Sequence, residues 1–170
     1  MLRPVRAGVR LFVALALTAS SGAAAAAAAG YAYLSAAQLA QLRALPIPIA
    51  LPASMPPGYR LTQFEVTNRT GEHRYDLTFS DSAKHRVLVE GGDCCFGDAE
   101  PDTSSFRRPF TATSPLLGNA RFDPYNLGSG WIWAADYIPI DRRTKTLLNI
   151  QGNDNAALTR FYGSLQRLPK

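Results

Sequence analysis

The last part of the chain decides the fold, and from Trp131 to Leu168 it reads WIWAADYIPIDRRTKTLLNIQGNDNAALTRFYGSLQRL. Its first residues alternate in the way that is typical of a strand, and a turn at Asp141–Thr144 leads to a second strand at Thr146–Gln151. Apolar side chains then recur at helical spacing as far as Leu168, with Asn153 or Asp154 as the N-cap. A single helix with one apolar stripe must cover a sheet, so the sequence predicts an α+β fold.

The residues upstream of this stretch predict further strands. Tyr59–Thr67 alternates with a change of phase, which predicts a β-bulge. Glu72–Ser80 and Lys84–Glu90 flank a short turn and predict a hairpin, and Phe110–Phe122 predicts a broken strand. Asp123–Asn126 and Gly128–Gly130 predict a loop. We therefore predict an antiparallel sheet of about six to seven strands, covered by the C-terminal helix and a short N-terminal helix.

The N-terminal helix is predicted from a capping box. Ser35 and Gln38 have the spacing at which each side chain can bond the other residue's backbone amide, and leucines follow at helical spacing to about residue 45. Pro46 and Pro48 end this helix. The segment Pro46–Pro52 must then be extended, and its prolines restrict it to an edge strand or a covering strap.

The first 29 residues predict a signal peptide. Three arginines (Arg3, Arg6 and Arg10) precede the apolar run Leu11–Leu17, and small residues follow, with cleavage expected between Ala19 and Ala29. An uncleaved anchor over Leu11–Leu34 is the alternative. No cysteine lies near the cleavage region, so the sequence has no lipobox for lipid attachment.

These features predict a signal peptide at 1–29, a short helix and linker at 30–46, and a single domain at 47–170. The mature chain has no second apolar run of spanning length, so we expect no transmembrane domain and a periplasmic or secreted location. The whole chain has 18 basic and 13 acidic residues, a net charge of +5. Without the three leader arginines the count is 15 against 13, a net charge of +2, which does not favour binding to nucleic acid.

Four sequence motifs, taken together, carry a resemblance. They are LP-x-x-x-PPGYRL at Leu51–Leu61, SPLLGNARF at Ser114–Phe122, GWIWAADYIP at Gly130–Pro139 and SLQRL at Ser164–Leu168. In this order the chain resembles a family of uncharacterised exported bacterial domains, of cyanobacterial type, with a C-terminal strand and helix ending in Ser-Leu. That family has no known activity, so the resemblance implies an exported domain and supplies no catalytic residues.

The adjacent pair Cys94-Cys95 is the feature most suggestive of chemistry. Neighbouring α-carbons are closer than a disulfide usually spans, so a bond between them would be strained and easily reduced, as suits a redox sensor. Structural or unpaired thiols and an intermolecular disulfide are the other interpretations. Adjacent cysteines lack the spacing of a zinc site.

The aromatic residues Trp131, Trp133, Tyr125 and Tyr137 could line a ligand groove, because aromatic rings supply large contact areas with a polar tip. In the alternative interpretation, one face of this strand belongs to the core and the other is partly exposed.

Other candidate sites are weaker. Alternating Asp98, Glu100 and Asp102 resemble part of a calcium loop, but the glycine and glutamate expected at its sixth and twelfth positions are absent, which favours a solvated acidic loop. The predicted hairpin places the rings of His73 and His85 about 16 Å apart, too far to share a metal. We therefore predict no catalytic residues, no metal and no cofactor.

The sequence thus favours a non-catalytic exported domain that binds an unknown envelope protein or a small apolar ligand. The alternatives are a redox sensor using Cys94 and Cys95, and an extracytoplasmic enzyme of unknown class.

Overall fold

The computed structural model describes residues 31–94, 96 and 107–170. Within these residues the chain forms one seven-stranded antiparallel sheet, one two-stranded sheet and two helices, which confirms the predicted α+β class. In chain order the elements are α1 (Ala36–Ala44), β1 (Ala50–Pro52), β2 (Arg60–Arg69), β3 (Glu72–Ser80), β4 (Arg86–Gly92), β5 (Phe110–Ser114), β6 (Gly118–Asn126), β7 (Trp131–Asp141), β8 (Thr146–Gly152), α2 (Asn155–Gly163) and β9 (Leu165–Arg167).

The large sheet has the strand order β2-β3-β4-β8-β7-β6-β5. Consecutive strands form hairpins except at the centre, where β4 pairs with β8 in the register Val89 to Ile150. One row across four strands consists of Leu77, Val89, Ile150 and Ala135, all buried. This face carries the core, and Leu158 and Phe161 of α2 lie in the same buried cluster.

The opposite face of the sheet is called the outer face below. It carries the alternate residues of the same strands, of which the central ones are Asp76, Thr78, Leu88, Glu90, Asn149 and Gln151. Thr78, Glu90 and Asn149 are buried although they are polar, which makes this face the candidate for a functional site.

The N-terminal segment is part of the same core. Helix α1 begins at the predicted capping box, in which Ser35 and Gln38 make both expected hydrogen bonds. Leu39 and Leu42 are buried, and so is Tyr31 before the helix. The proline-containing segment contributes the short strand β1, which within the described residues pairs with β9 alone.

Helix α2 is shorter than predicted. It has the expected N-cap at Asp154, whose side chain accepts two backbone amides, but it ends at Gly163 rather than near Leu168. The next residues form β9, because β1 offers main-chain partners: Leu51 pairs with Gln166, and the Leu168 amide donates to the Ile49 carbonyl. The apolar pattern is still used, since Leu165 and Leu168 are both buried.

The segment Asp123–Asn126 was predicted to be a loop and is instead the second half of β6. It pairs with β7, with Pro124 opposite Trp133. Proline is tolerated there because β6 pairs with β5 only over residues 118–122, so one side of β6 has no ladder at this point. The bulge predicted in β2 is confirmed between Leu61 and Gln63.

Helices in the part of the chain that the structure describes are all too short, or too polar, to cross a membrane.

Candidate functional site

The outer face holds a groove where β3, β4, β8 and β7 lie side by side. Its first row is Thr78, Leu88, Gln151 and Ala134, which the registers place opposite one another. The groove is lined by the first three of these, so an aliphatic side chain lies between a hydroxyl and a carboxamide.

The second row lies one step nearer the strand ends. Arg86 of β4 and Asn153, just after β8, are joined by two hydrogen bonds: the Arg86 amide donates to Asn153 Oδ1 at 2.8 Å, and the Asn153 amide donates to the Arg86 carbonyl at 3.3 Å. Ile132 lies on the other side of Asn153, on β7, because Trp133 pairs with Gly152. This row gives the groove a cationic end and an apolar end.

The loop between β6 and β7 forms the wall at the apolar end. Asn126 Oδ1 accepts the Gly128 amide at 3.0 Å, and the Leu127 amide donates to the Gly130 carbonyl at 3.1 Å. Gly128 has φ +75°, a conformation that favours glycine. The loop presents Leu127 with 57% of its surface exposed, and this side chain lines the groove, which has a volume of about 280 Å³.

Arg86 is the one charged residue among the described residues that line this groove. Its side chain is exposed, and it makes no ion pair within the described residues. The two acidic residues closest to Arg86 in sequence have other partners: Glu90 pairs with Arg74 at 2.9 Å, and Asp81 bonds His85 at 2.8 Å. The guanidinium is therefore available to a ligand.

A buried polar network continues the outer face beyond the groove. Arg74 pairs with Asp76 at 3.0 Å and with Glu90 at 2.9 Å. Glu90 opposes Asn149, which is also buried. Burial raises the pKa of the Glu90 carboxyl, the Arg74 guanidinium opposes this shift, and the nearby carboxylates Asp76 and Asp136 add to it.

A β-bulge in β7 brings Asp136 to this network. The register with β8 shifts between Ala135 and Ile138, and Tyr137 adopts φ +55°. The Tyr137 amide donates to Asn149 Oδ1 at 2.7 Å, while Asp136 Oδ2 accepts the Tyr125 hydroxyl at 2.8 Å. Burial raises the pKa of the Asp136 carboxyl, and the hydrogen bond from Tyr125 opposes that shift.

The four aromatic candidates from the sequence lie in different surroundings. Trp131 lines the groove, whereas Trp133 is buried, donates Nε1–H to the Arg108 carbonyl and lies beneath the Arg107 guanidinium. Tyr125 is buried beside Asp136. Tyr137 is 45% exposed, and its ring makes an edge contact with the Phe96 ring.

Cys94 is not among the residues that line the groove. Cys94 is disulfide-bonded, and its Sγ lies 3.6 Å from the Gly71 carbonyl oxygen. Cys95 and the acidic residues Asp98, Glu100 and Asp102 lie outside the described residues.

The two histidines bond polar neighbours on their own hairpins. His73 bonds Asn68 at 2.9 Å, and His85 bonds Asp81. The predicted hairpin placed Ser80 opposite about residue 83 and His73 opposite about residue 90. In the structure Ser80 pairs with Arg86, three residues further along, so His73 lies beside Asp93. No group of three or more histidine, cysteine or acidic side chains in the described part of the chain is arranged to hold a metal ion.

Three comparisons, with family models, with curated proteins and with solved structures, gave no match. The geometry of the outer face therefore carries the functional argument.

Trp131 was a candidate from the sequence and lines the groove, but the other groove residues were missed because most come from four strands that are far apart in the chain. Leu88 and Gln151, which are direct neighbours, are separated by 63 positions (151 − 88). A further usable signal was the Gly128-Ser-Gly130 turn beside an isolated Leu127, a loop that exposes an apolar side chain.

Proposed function

We propose that this chain is a non-catalytic binding domain, exported to the periplasm or the exterior by residues 1–29, and that it binds a small, largely apolar ligand in the outer-face groove. The observation that carries the proposal is the exposed Leu127, which lines the same groove as Leu88 and Ile132. Apolar side chains that meet in a concave site are typical of ligand pockets.

The supporting framework is rigid. The groove floor consists of hydrogen-bonded strands, and the Arg86–Asn153 and Asn126–Gly128 hydrogen bonds fix its two ends. A site that is formed before the ligand arrives loses less entropy on binding, which favours affinity. The signal peptide predicted from the sequence and the resemblance to a family of exported domains support a ligand or partner from the cell envelope.

The proposal is tested with the fluorescent apolar probe N-phenyl-1-naphthylamine and the variant Leu127→Asp. We expect the native protein to enhance the probe's fluorescence in a saturable titration. The variant should bind about fivefold more weakly or worse, because an apolar contact of roughly 1 kcal/mol is replaced by a carboxylate. Since Leu127 is exposed, the substitution should leave the thermal unfolding midpoint unchanged.

Tyr137 provides the matched control. It is the other large apolar side chain exposed among the described residues, and it lies outside the groove. Tyr137→Asn suits the positive φ of this position and should leave probe affinity unchanged. Equal losses in both variants, or no saturable binding by the native protein, would contradict the proposal.

A redox role for the cysteine pair is our second proposal, and it is supported by the disulfide at Cys94. The sequence contains two cysteines, Cys94 and Cys95. If they form a reducible switch, intact mass under non-reducing conditions should show a monomer without free thiols, and a mild dithiol should expose both to alkylation. A disulfide-linked dimer, or a bond that survives the dithiol in the folded protein, would reject this role.

A further inference from the structure

Among the described residues that line it, the groove carries one positive charge and no negative charge. From this we infer that its ligand is an amphipathic molecule with a single anionic head group, which binds Arg86 while its apolar part lies over Leu88 and Ile132 toward Leu127. This inference rests on the proposed function and names the ligand class for the same groove.

The first argument is the arrangement of charge. The Arg86 guanidinium is exposed and has no ion-pair partner within the described residues. Glu90 and Asp81, the acidic residues closest to it in sequence, are engaged by Arg74 and His85. An arginine held at the end of an apolar groove attracts anions and repels cations. A guanidinium can also make two parallel hydrogen bonds to a carboxylate or a phosphate, which gives orientation as well as affinity.

The second argument is a further hydrogen-bond donor at the same end. Asn153 Oδ1 accepts the Arg86 amide, and this bond assigns the carboxamide orientation. The Asn153 NH₂ group is then a second hydrogen-bond donor on a residue that lines the groove. Two donor groups at one end of a groove suit the two or three oxygens of an anionic head.

The third argument is the length of the groove. Arg86 lies on β4 and Ile132 on β7. Asn153, the residue that follows β8, lies between them. Two strand spacings separate the cationic end from the apolar end, about 10 Å. The volume of about 280 Å³ is at the lower limit for small-molecule pockets. A head group with a medium-length aliphatic chain or one ring fits these dimensions.

The test is a displacement series with ligands that share one apolar body. Octanoate, octyl phosphate, 1-octanol and octylamine are titrated against N-phenyl-1-naphthylamine bound to the full chain. We expect octanoate or octyl phosphate to bind at least tenfold more tightly than octanol, and octylamine to bind most weakly. The stronger of the two anions identifies the head group as a carboxylate or a phosphate ester.

Variants of Arg86 connect this preference to the guanidinium. Arg86→Gln should reduce the affinity for the anions about tenfold and leave that for octanol unchanged, because one charge-assisted interaction is lost. Arg86→Lys should keep part of the preference. Arg143→Gln, which removes an arginine from the β7–β8 turn outside the groove, is the control and should behave like the native protein.

The result separates the two proposals. If octanol binds as tightly as both anions, or if the preference for anions survives Arg86→Gln, the proposal of an anionic ligand bound by Arg86 is wrong. The proposal of a groove for apolar ligands would then still stand. Failure of the probe and of all four octyl compounds to bind would overturn the groove itself, and the ligand class with it.

Discussion

At the scale of single residues, the core contains two fully buried tyrosines with opposite hydrogen bonding. The Tyr75 hydroxyl donates to the Ala50 carbonyl at 2.9 Å and accepts the Ala50 amide at 3.0 Å. The Tyr162 hydroxyl has no hydrogen-bond partner in the described part of the chain, and burial raises its pKa to about 12. A buried hydroxyl without a partner costs free energy, whereas one with two partners contributes to stability.

This contrast predicts different outcomes for the same substitution. Tyr162→Phe should leave the free energy of unfolding unchanged or raise it by up to about 1 kcal/mol, because the ring contact with Phe122 is kept and only the unpaired hydroxyl is lost. Tyr75→Phe should lower it by about 1–3 kcal/mol. Urea unfolding measures both values, and a large loss in Tyr162→Phe would show that its hydroxyl has a partner after all.

Local residue chemistry was predictable where it depends on neighbours in sequence. The capping box at Ser35 and the N-cap at Asp154 both form as the sequence indicates, because each needs only the next three residues. The hydrogen bonds of Tyr75 and the ion pair of Arg74 with Glu90 join different strands, so no local pattern could reveal them.

At the scale of elements, β7 shows how a bulge redirects side chains. Trp133 and Ala135 point to the core in one phase, and Ile138 and Ile140 point to it in the other. The sequence predicted such a change of phase in β2, where the bulge is confirmed, but the bulge in β7 was not predicted. Its consequence is that Asp136 joins the buried network of the outer face.

The buried carboxyls predict a dependence of stability on pH. A carboxyl whose pKa is raised on folding holds its proton more tightly in the folded state. Its stabilising contribution is therefore complete below the unfolded value, near 3.8 for Asp136, and is lost as the pH rises through the higher folded value. Asp136→Asn keeps an acceptor for Tyr125 and should reduce the loss of stability between about pH 4 and pH 7.

The measurement is the free energy of urea unfolding at several pH values in that range. Glu65→Gln, which changes an exposed carboxyl on edge strand β2, is the control and should follow the native curve. A curve for Asp136→Asn that runs parallel to the native one would show that this carboxyl does not contribute to the pH dependence.

Helix α2 and strand β9 show the limit of predicting helices and strands from local sequence. Apolar residues at Leu165 and Leu168 fit a helix and also fit one buried side of an irregular strand, so periodicity alone could not decide between them. The decision came from β1, a distant segment that supplies the main-chain partners. Pro124 shows the same limit. Its turn-like sequence predicted a loop, but pairing with β7 makes it part of a strand.

At the scale of the whole molecule, the class was predictable and the strand order was not. Hairpins join strands that follow one another, but the sheet depends on β4 pairing with β8, with Val87 opposite Gly152. The groove lies across that junction. It therefore forms only when the two halves of the sheet meet. For this reason the sequence indicated Trp131 among the aromatic residues of one strand but not the groove residues of the other strands.

The pairing of β1 with β9 also bears on the order of folding. Ala50 lies opposite Arg167, so 117 positions (167 − 50) separate two paired residues. Closing so long a loop costs chain entropy before any contact repays that cost, so contacts between such distant positions form slowly. We therefore expect the hairpins of the large sheet to form first, and the two-stranded sheet of β1 and β9 to close the domain at the end of folding.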